Sequence, residues 1–85
     1  DRKLEALDVY ESALRQLATT NDLAANSENA RLAAQLWAMI GDIQTETGEN
    51  GKAINAYQQA MQLDPITYPH LERVIEKLEA ATTQP

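Results

Sequence analysis

Ala34-Gln35-Leu36-Trp37-Ala38-Met39-Ile40-Gly41-Asp42-Ile43-Gln44, then Gly48, then Ala53-Ile54-Asn55-Ala56-Tyr57, Ala60 and Asp64-Pro65 decide the fold of this chain. Ala30, Ala33 or Ala34, Trp37, Ile40 and Gln44 recur at three- and four-residue steps, which puts them on one face of a helix. Gly48-Glu49-Asn50-Gly51 ends that helix near Thr47 and turns the chain back, with Gly48 as the left-handed stop. A second helix over residues 52–63 lines up Ala53, Ala56 or Tyr57, Ala60, and Leu63 or Met61. Asp64-Pro65 closes it, because proline cannot continue a helix interior. Glycine inside a helix costs about 1 kcal/mol against alanine, so Gly41 calls for a packing reason. Gly41 and Ala53 would let the two helices cross closely, and Trp37, Ile40 and Tyr57 would fill the wider gaps. Ala60 would leave room for a following helix.

Working outward, a helix is expected over residues 2–18, where Leu4, Leu7, Tyr10 or Val9, Ala13 or Leu14, and Leu17 form an apolar stripe. Between residues 19 and 28 turn-forming and capping side chains alternate with Leu23-Ala24-Ala25. Two starts for the next helix are open, near Asp22 or after a cap at Ser27, and we read it at Ser27. A fourth helix is expected over about residues 69–81, with Pro69 in its first turn and Leu71, Val74, Ile75 and Leu78 on its apolar face. Residues 82–85 read as a disordered tail. Nothing alternates with the period of two that a strand needs.

The run over residues 34–65 resembles the tetratricopeptide repeat, whose pattern places Trp, an aliphatic residue and Gly, then Ala, an aromatic residue, Ala and a closing Pro at fixed offsets. Trp37, Ile40, Gly41, Ala53, Tyr57, Ala60 and Pro65 stand at those places and are expected to be the repeat core. Gln44 departs from the pattern, which usually has an aromatic there. The fourth helix continues it, with Leu71 for Trp, Val74 for the aliphatic, Ile75 for Gly and Leu78 for the aromatic, as a capping helix would. Ala6, Tyr10 and Ala13 match the spacing of Ala53, Tyr57 and Ala60, so the first helix resembles the second half of a preceding repeat. Those matches lie 47 residues apart, whereas the family period is about 34.

The resemblance implies an all-α fold. Antiparallel helix hairpins, about four helices in all, would stack as a short right-handed superhelix forming one domain over residues 1–81. It also implies a non-catalytic module that binds a protein or peptide in a groove lined by the first helix of the repeat. Here that surface would show Gln35, Ala38, Asp42, Thr45 and Glu46. One branch of the family grips a C-terminal carboxylate with Lys, Asn and Arg. Asp42 stands at the Asn place, and Glu72 and Glu76 stand where Lys and Arg would be. A carboxylate-terminated ligand would be repelled, so the expected partner is neutral or basic.

Composition narrows the chemistry. In 85 residues the net charge is -6, spread along the chain. Phosphate binding needs clustered Lys and Arg, so nucleic acid is not expected, nor is an anionic membrane surface. No window approaches the ~20 apolar residues that cross a bilayer, so no membrane insertion is expected. With no Cys and His70 as the single His, zinc sites and nucleophilic triads lack their parts. Asp42 with Glu46, and Glu72 with Glu76 and Glu79, could pair as acid and base or hold a hard cation. A solvated acidic face is the simpler reading, and no metal or cofactor is expected. The chain begins at Asp1, as a processed protein or a domain cut from a longer one would. Two other roles are carried alongside partner binding: self-assembly, and a helical accessory domain of an enzyme. A small chain without disulfides and with half a repeat at its start favours a homodimer.

Overall fold

Among the described residues every regular element is an α-helix: α1 (Arg2–Ala18), α2 (Glu28–Glu46), α3 (Asn50–Leu63) and α4 (Leu71–Thr83). The computed structural model describes residues 2–18 and 27–83. The Ser27 side chain decides where α2 begins. With its backbone extended, its Oγ accepts the Ala30 amide at 3.1 Å, satisfying one of the donors a helix start leaves open. The segment 19–26, where the alternative start at Asp22 falls, lies outside the described residues.

Gly48 ends α2 as its sequence position requires. Its φ is 86°, and the Glu49 and Gly48 amides donate back to the Gln44 and Thr45 carbonyls at 2.8 and 3.2 Å. That pair of bonds closes the helix in a Schellman motif. Because this turn is complete by Glu49, α3 starts at Asn50, two residues ahead of the expected start. Gly51 then sits in the first helical turn, with open space where a Cβ would stand.

The start of α4 differs from the expectation. The buried Asp64 side chain accepts the Thr67 amide at 3.1 Å, and the Asp64 carbonyl accepts the Tyr68 amide at 3.3 Å. Tight three-residue bonds from Leu71 to Tyr68, Glu72 to Pro69 and Arg73 to His70 follow. Pro69 therefore lies in a turn that leads into the helix, and the helix begins at Leu71. At the other end α4 reaches Thr83, past the expected stop, so Thr82 and Thr83 are helical rather than tail. Residues 84 and 85 lie outside the described residues.

The helices pack in chain order, α1 on α2, α2 on α3 and α3 on α4, in a slab 42 × 31 × 15 Å. Ala34, Ala53, Tyr57, Ala60, Leu71, Ile75 and Leu78 form the core. Ile40 of α2 is buried beside the hollow that faces α1, and Gly41 is buried beside the Tyr57 ring. Two expected core residues sit differently. Trp37 is half-buried and packs on the core from its edge, because its outer side borders a hollow against α1. Pro65 is exposed: it stops α3 from the turn and fills no gap. No described side chain of α1 is fully buried, since α1 touches the rest only through α2.

Candidate interaction surface

The five residues expected to line a groove all lie on α2, but neighbouring helices split them into two flanks. Gln35, Asp42, Thr45 and Glu46 are exposed, and Ala38 is half-buried against the core. On the flank towards α3, the Tyr57 hydroxyl donates to Asp42 Oδ1 at 2.5 Å. Thr45 Oγ1 donates to the Gly41 carbonyl at 2.8 Å and lies 3.5 Å from the same hydroxyl. Burial, and next the bond to the Asp42 carboxylate, push the Tyr57 hydroxyl up to about 12. On the flank towards α1, Glu46 pairs with Lys3 at 3.2 Å. Gln35 borders a largely apolar hollow of about 610 Å³ with Ala13 and Leu17 of α1 and Leu32, Leu36 and Met39 of α2.

Why Tyr57 reaches Asp42 follows from Gly41. With no Cβ there, the ring lies directly on the α2 backbone, and its hydroxyl projects to the next exposed residue of that helix. A Cβ on Gly41 would stand 2.7 Å from Tyr57 Cε1. Sequence periodicity found the exposed strip but not this knot of Tyr57, Asp42 and Thr45. The signal was present: Gly41 and Asp42 are adjacent, opposite the one aromatic residue of α3.

Two further hollows flank the repeat. One, of about 320 Å³, lies between α1 and α2 and is lined by Glu11, Leu14, Arg15, Trp37, Ile40 and Gln44. Gln44 is 9 % exposed and its Oε1 has no hydrogen-bond partner. The other, of about 540 Å³, lies between α3 and α4, with Met61 and Ile75 among carboxylates of α4. His70 is exposed, its ring 6.1 Å from that of Tyr68. Among the described residues no group of three or more His, Asp or Glu could hold a metal ion. No described helix is long and apolar enough to cross a membrane.

A family model described as tetratricopeptide repeat matches residues 34–67. The chain carries a tetratricopeptide repeat. No curated protein and no solved structure matches it. Within the repeat, α2 and α3 are the two helices, Gly41 and Tyr57 mark a close approach between them, and the match ends in the turn after Pro65. Tetratricopeptide repeats generally mediate protein–protein interaction, and the helical stack gives them a continuous surface for it.

Proposed function

We propose that this chain is a non-catalytic interaction module that binds a neutral or basic peptide or protein along α2, through Gln35, Ala38, Asp42, Thr45 and Glu46. One observation carries the reading. The exposed strip of α2 bears two carboxylates already held in place, Asp42 by Tyr57 and Glu46 by Lys3. Acceptors fixed before binding lose little freedom when a partner arrives. Each carboxylate has room for more than one donor, so the internal bonds leave acceptor capacity for a ligand. A partner's Lys, Arg or amide groups are attracted there, and a terminal carboxylate is repelled.

The test is capture from a peptide library with salt titration of the peptides selected. Neutral or basic peptides are expected, the basic ones weakening as salt rises. Glu46→Lys should weaken a basic peptide several-fold without changing the melt, because its ion pair with Lys3 is exposed. Preferential capture of acidic peptides, or no effect of Glu46→Lys, would reject the reading.

A second reading is favoured by α1. Leu4 is 59 % exposed and Val9 63 %, and Leu32 of α2 is 49 % exposed. Such apolar side chains on one small chain suit self-association as a symmetric dimer. Sedimentation at micromolar concentration should then show a dimer that Leu4→Glu with Val9→Glu dissociates. A monomer that melts cooperatively removes it.

A further inference from the structure

We infer that the hollow between α3 and α4 seats a helix of a protein partner, one that carries a small-residue apolar stripe flanked by Lys or Arg. This rests on the reading of the chain as an interaction module but uses a different face. The argument begins inside the chain. On α2, the flank formed by Ala38, Gly41, Asp42 and Thr45 already receives a helix, because α3 lays Tyr57 against Gly41 and bonds Asp42. The positions 34 residues further on are Glu72, Ile75, Glu76 and Glu79. Those four line the α3–α4 hollow, together with Gln58, Met61 and Gln62 of α3. In α4 the carboxylates of this flank, Glu72, Glu76 and Glu79, are exposed, and Ile75 lies at its base, packed into the core and bordering the hollow.

The differences between the two flanks state what fits. Ile75 replaces Gly41, so no aromatic ring can rest on the α4 backbone, and the occupant needs a small side chain opposite Ile75. Met61 supplies apolar contact beside it. Glu72 and Glu79 replace Ala38 and Thr45, and Glu76 stands where Asp42 accepts its bond from Tyr57. Glu72 and Glu76 line this hollow and no Lys or Arg does, so charge complementarity calls for an occupant that carries cations. About 540 Å³ holds a few side chains, which suits helix anchors at three- and four-residue steps rather than an enclosed small molecule. A second copy of the chain fits less well. Its α1 has the right small residues, Ala6 and Ala13, but it would bring Tyr10 to Ile75 and Glu5, Asp8 and Glu11 to an acidic rim.

The probe is a fluorescein-labelled helical peptide with an Ala/Leu stripe flanked by Lys, beside a peptide with the same stripe flanked by Glu. Anisotropy titrations use the full chain. The Lys peptide should bind and the Glu peptide should not. Glu72→Gln with Glu76→Gln should weaken the Lys peptide about tenfold, and Gln58→Arg, at an exposed position, should do the same. Amide chemical-shift changes should centre on Gln58, Met61, Glu72 and Glu76, and Glu46→Lys should leave those changes in place whatever it does to contacts along α2. Equal binding of both peptides, or binding indifferent to Glu72, Glu76 and Gln58, overturns the inference. Loss of those changes on Glu46→Lys instead overturns it while keeping the α2 reading. Self-association abolished by Gln58→Arg would also overturn it, in favour of a second copy in the hollow.

Discussion

Gly41→Ala is the sharpest perturbation of the crossing between α2 and α3. In an isolated helix the change is favourable by about 1 kcal/mol, because glycine loses more backbone freedom on folding. Here the added methyl group would lie 2.7, 2.9 and 2.9 Å from Cε1, Cδ1 and Cζ of Tyr57. The ring has little room to yield: it is 3 % exposed, and its hydroxyl is bonded to Asp42. Overpacking of this kind costs about 1–3 kcal/mol. If the ring swings away, the bond to the carboxylate is lost as well, a further ~1.5–3 kcal/mol. Packing and hydrogen bonding outweigh propensity, and a net loss of about 2 kcal/mol is expected. For a domain of this size each kcal/mol moves the melting temperature by roughly 4–8 °C, so the melt should fall by about 10 °C or more. Circular dichroism melts and urea titrations measure it, with Gly51→Ala as the control. Gly51 is helical and a methyl group there would meet no neighbouring element within 4 Å, so that change should be neutral or stabilising. In a Tyr57→Leu background the cost of Gly41→Ala should shrink or reverse, which assigns it to the ring. A Gly41→Ala chain melting at or above the parent would refute the close-approach argument.

Tyr57→Phe tests the raised hydroxyl. The Tyr57 hydroxyl ionises near 10.0 in the unfolded chain and at about 12 in the folded one, so its contribution is intact below pH 10 and is lost as pH rises to 12, by roughly 3 kcal/mol at most. Urea titrations across that range should show Tyr57→Phe with a shallower alkaline loss than the parent. Gln44→Leu should raise stability by about 1–3 kcal/mol, read by the same titrations, because it removes a buried acceptor that nothing satisfies. Ser27→Ala should cost about 1 kcal/mol and fray the first turn of α2, visible as faster amide exchange at Ala30.

The middle of the chain was legible because its signals are local and agree. Gly48 needs a left-handed backbone, Ser27 offers an acceptor one turn ahead, and Gly41 with Ala53 marks a close crossing. Each is readable within a few residues; the structure shows the left-handed Gly48, the Ser27 cap and a close approach at Gly41, where the Tyr57 ring lies against the glycine. The start of α4 was not legible from Pro69. A proline at a helix start spares an amide, but here Asp64, five residues earlier, draws the chain into a turn that delays the helix to Leu71. The exposed strip of α2 follows from helical period alone. The partner of Asp42 does not, because Tyr57 lies on the next helix and reaches it only through the space Gly41 leaves. The orphaned oxygen of Gln44 was unreadable for a similar reason: it depends on how α1 covers α2, across a segment whose register the repeat pattern does not set.

Asp42 shows why an acidic surface residue on this fold is a poor single test of binding. Its carboxylate faces solvent, yet it also accepts the one hydroxyl that Tyr57 offers. Asp42→Asn would weaken a ligand contact and an internal bond together, and lost affinity could not be assigned to either. Glu46 and the pair Glu72 and Glu76 separate the questions, since neither surface change touches the crossing of α2 and α3. The same comparison explains how one repeat can close its own helix pair and still present a second, related flank. Where α2 has glycine, α4 has Ile75, and where α2 has Ala38, α4 has Glu72. Those two substitutions forbid α4 the ring-on-backbone packing that fastens α3 to α2. They leave beside α3 an acidic, partly apolar edge, which a helix of opposite charge can cover and a copy of this chain's own α3 cannot.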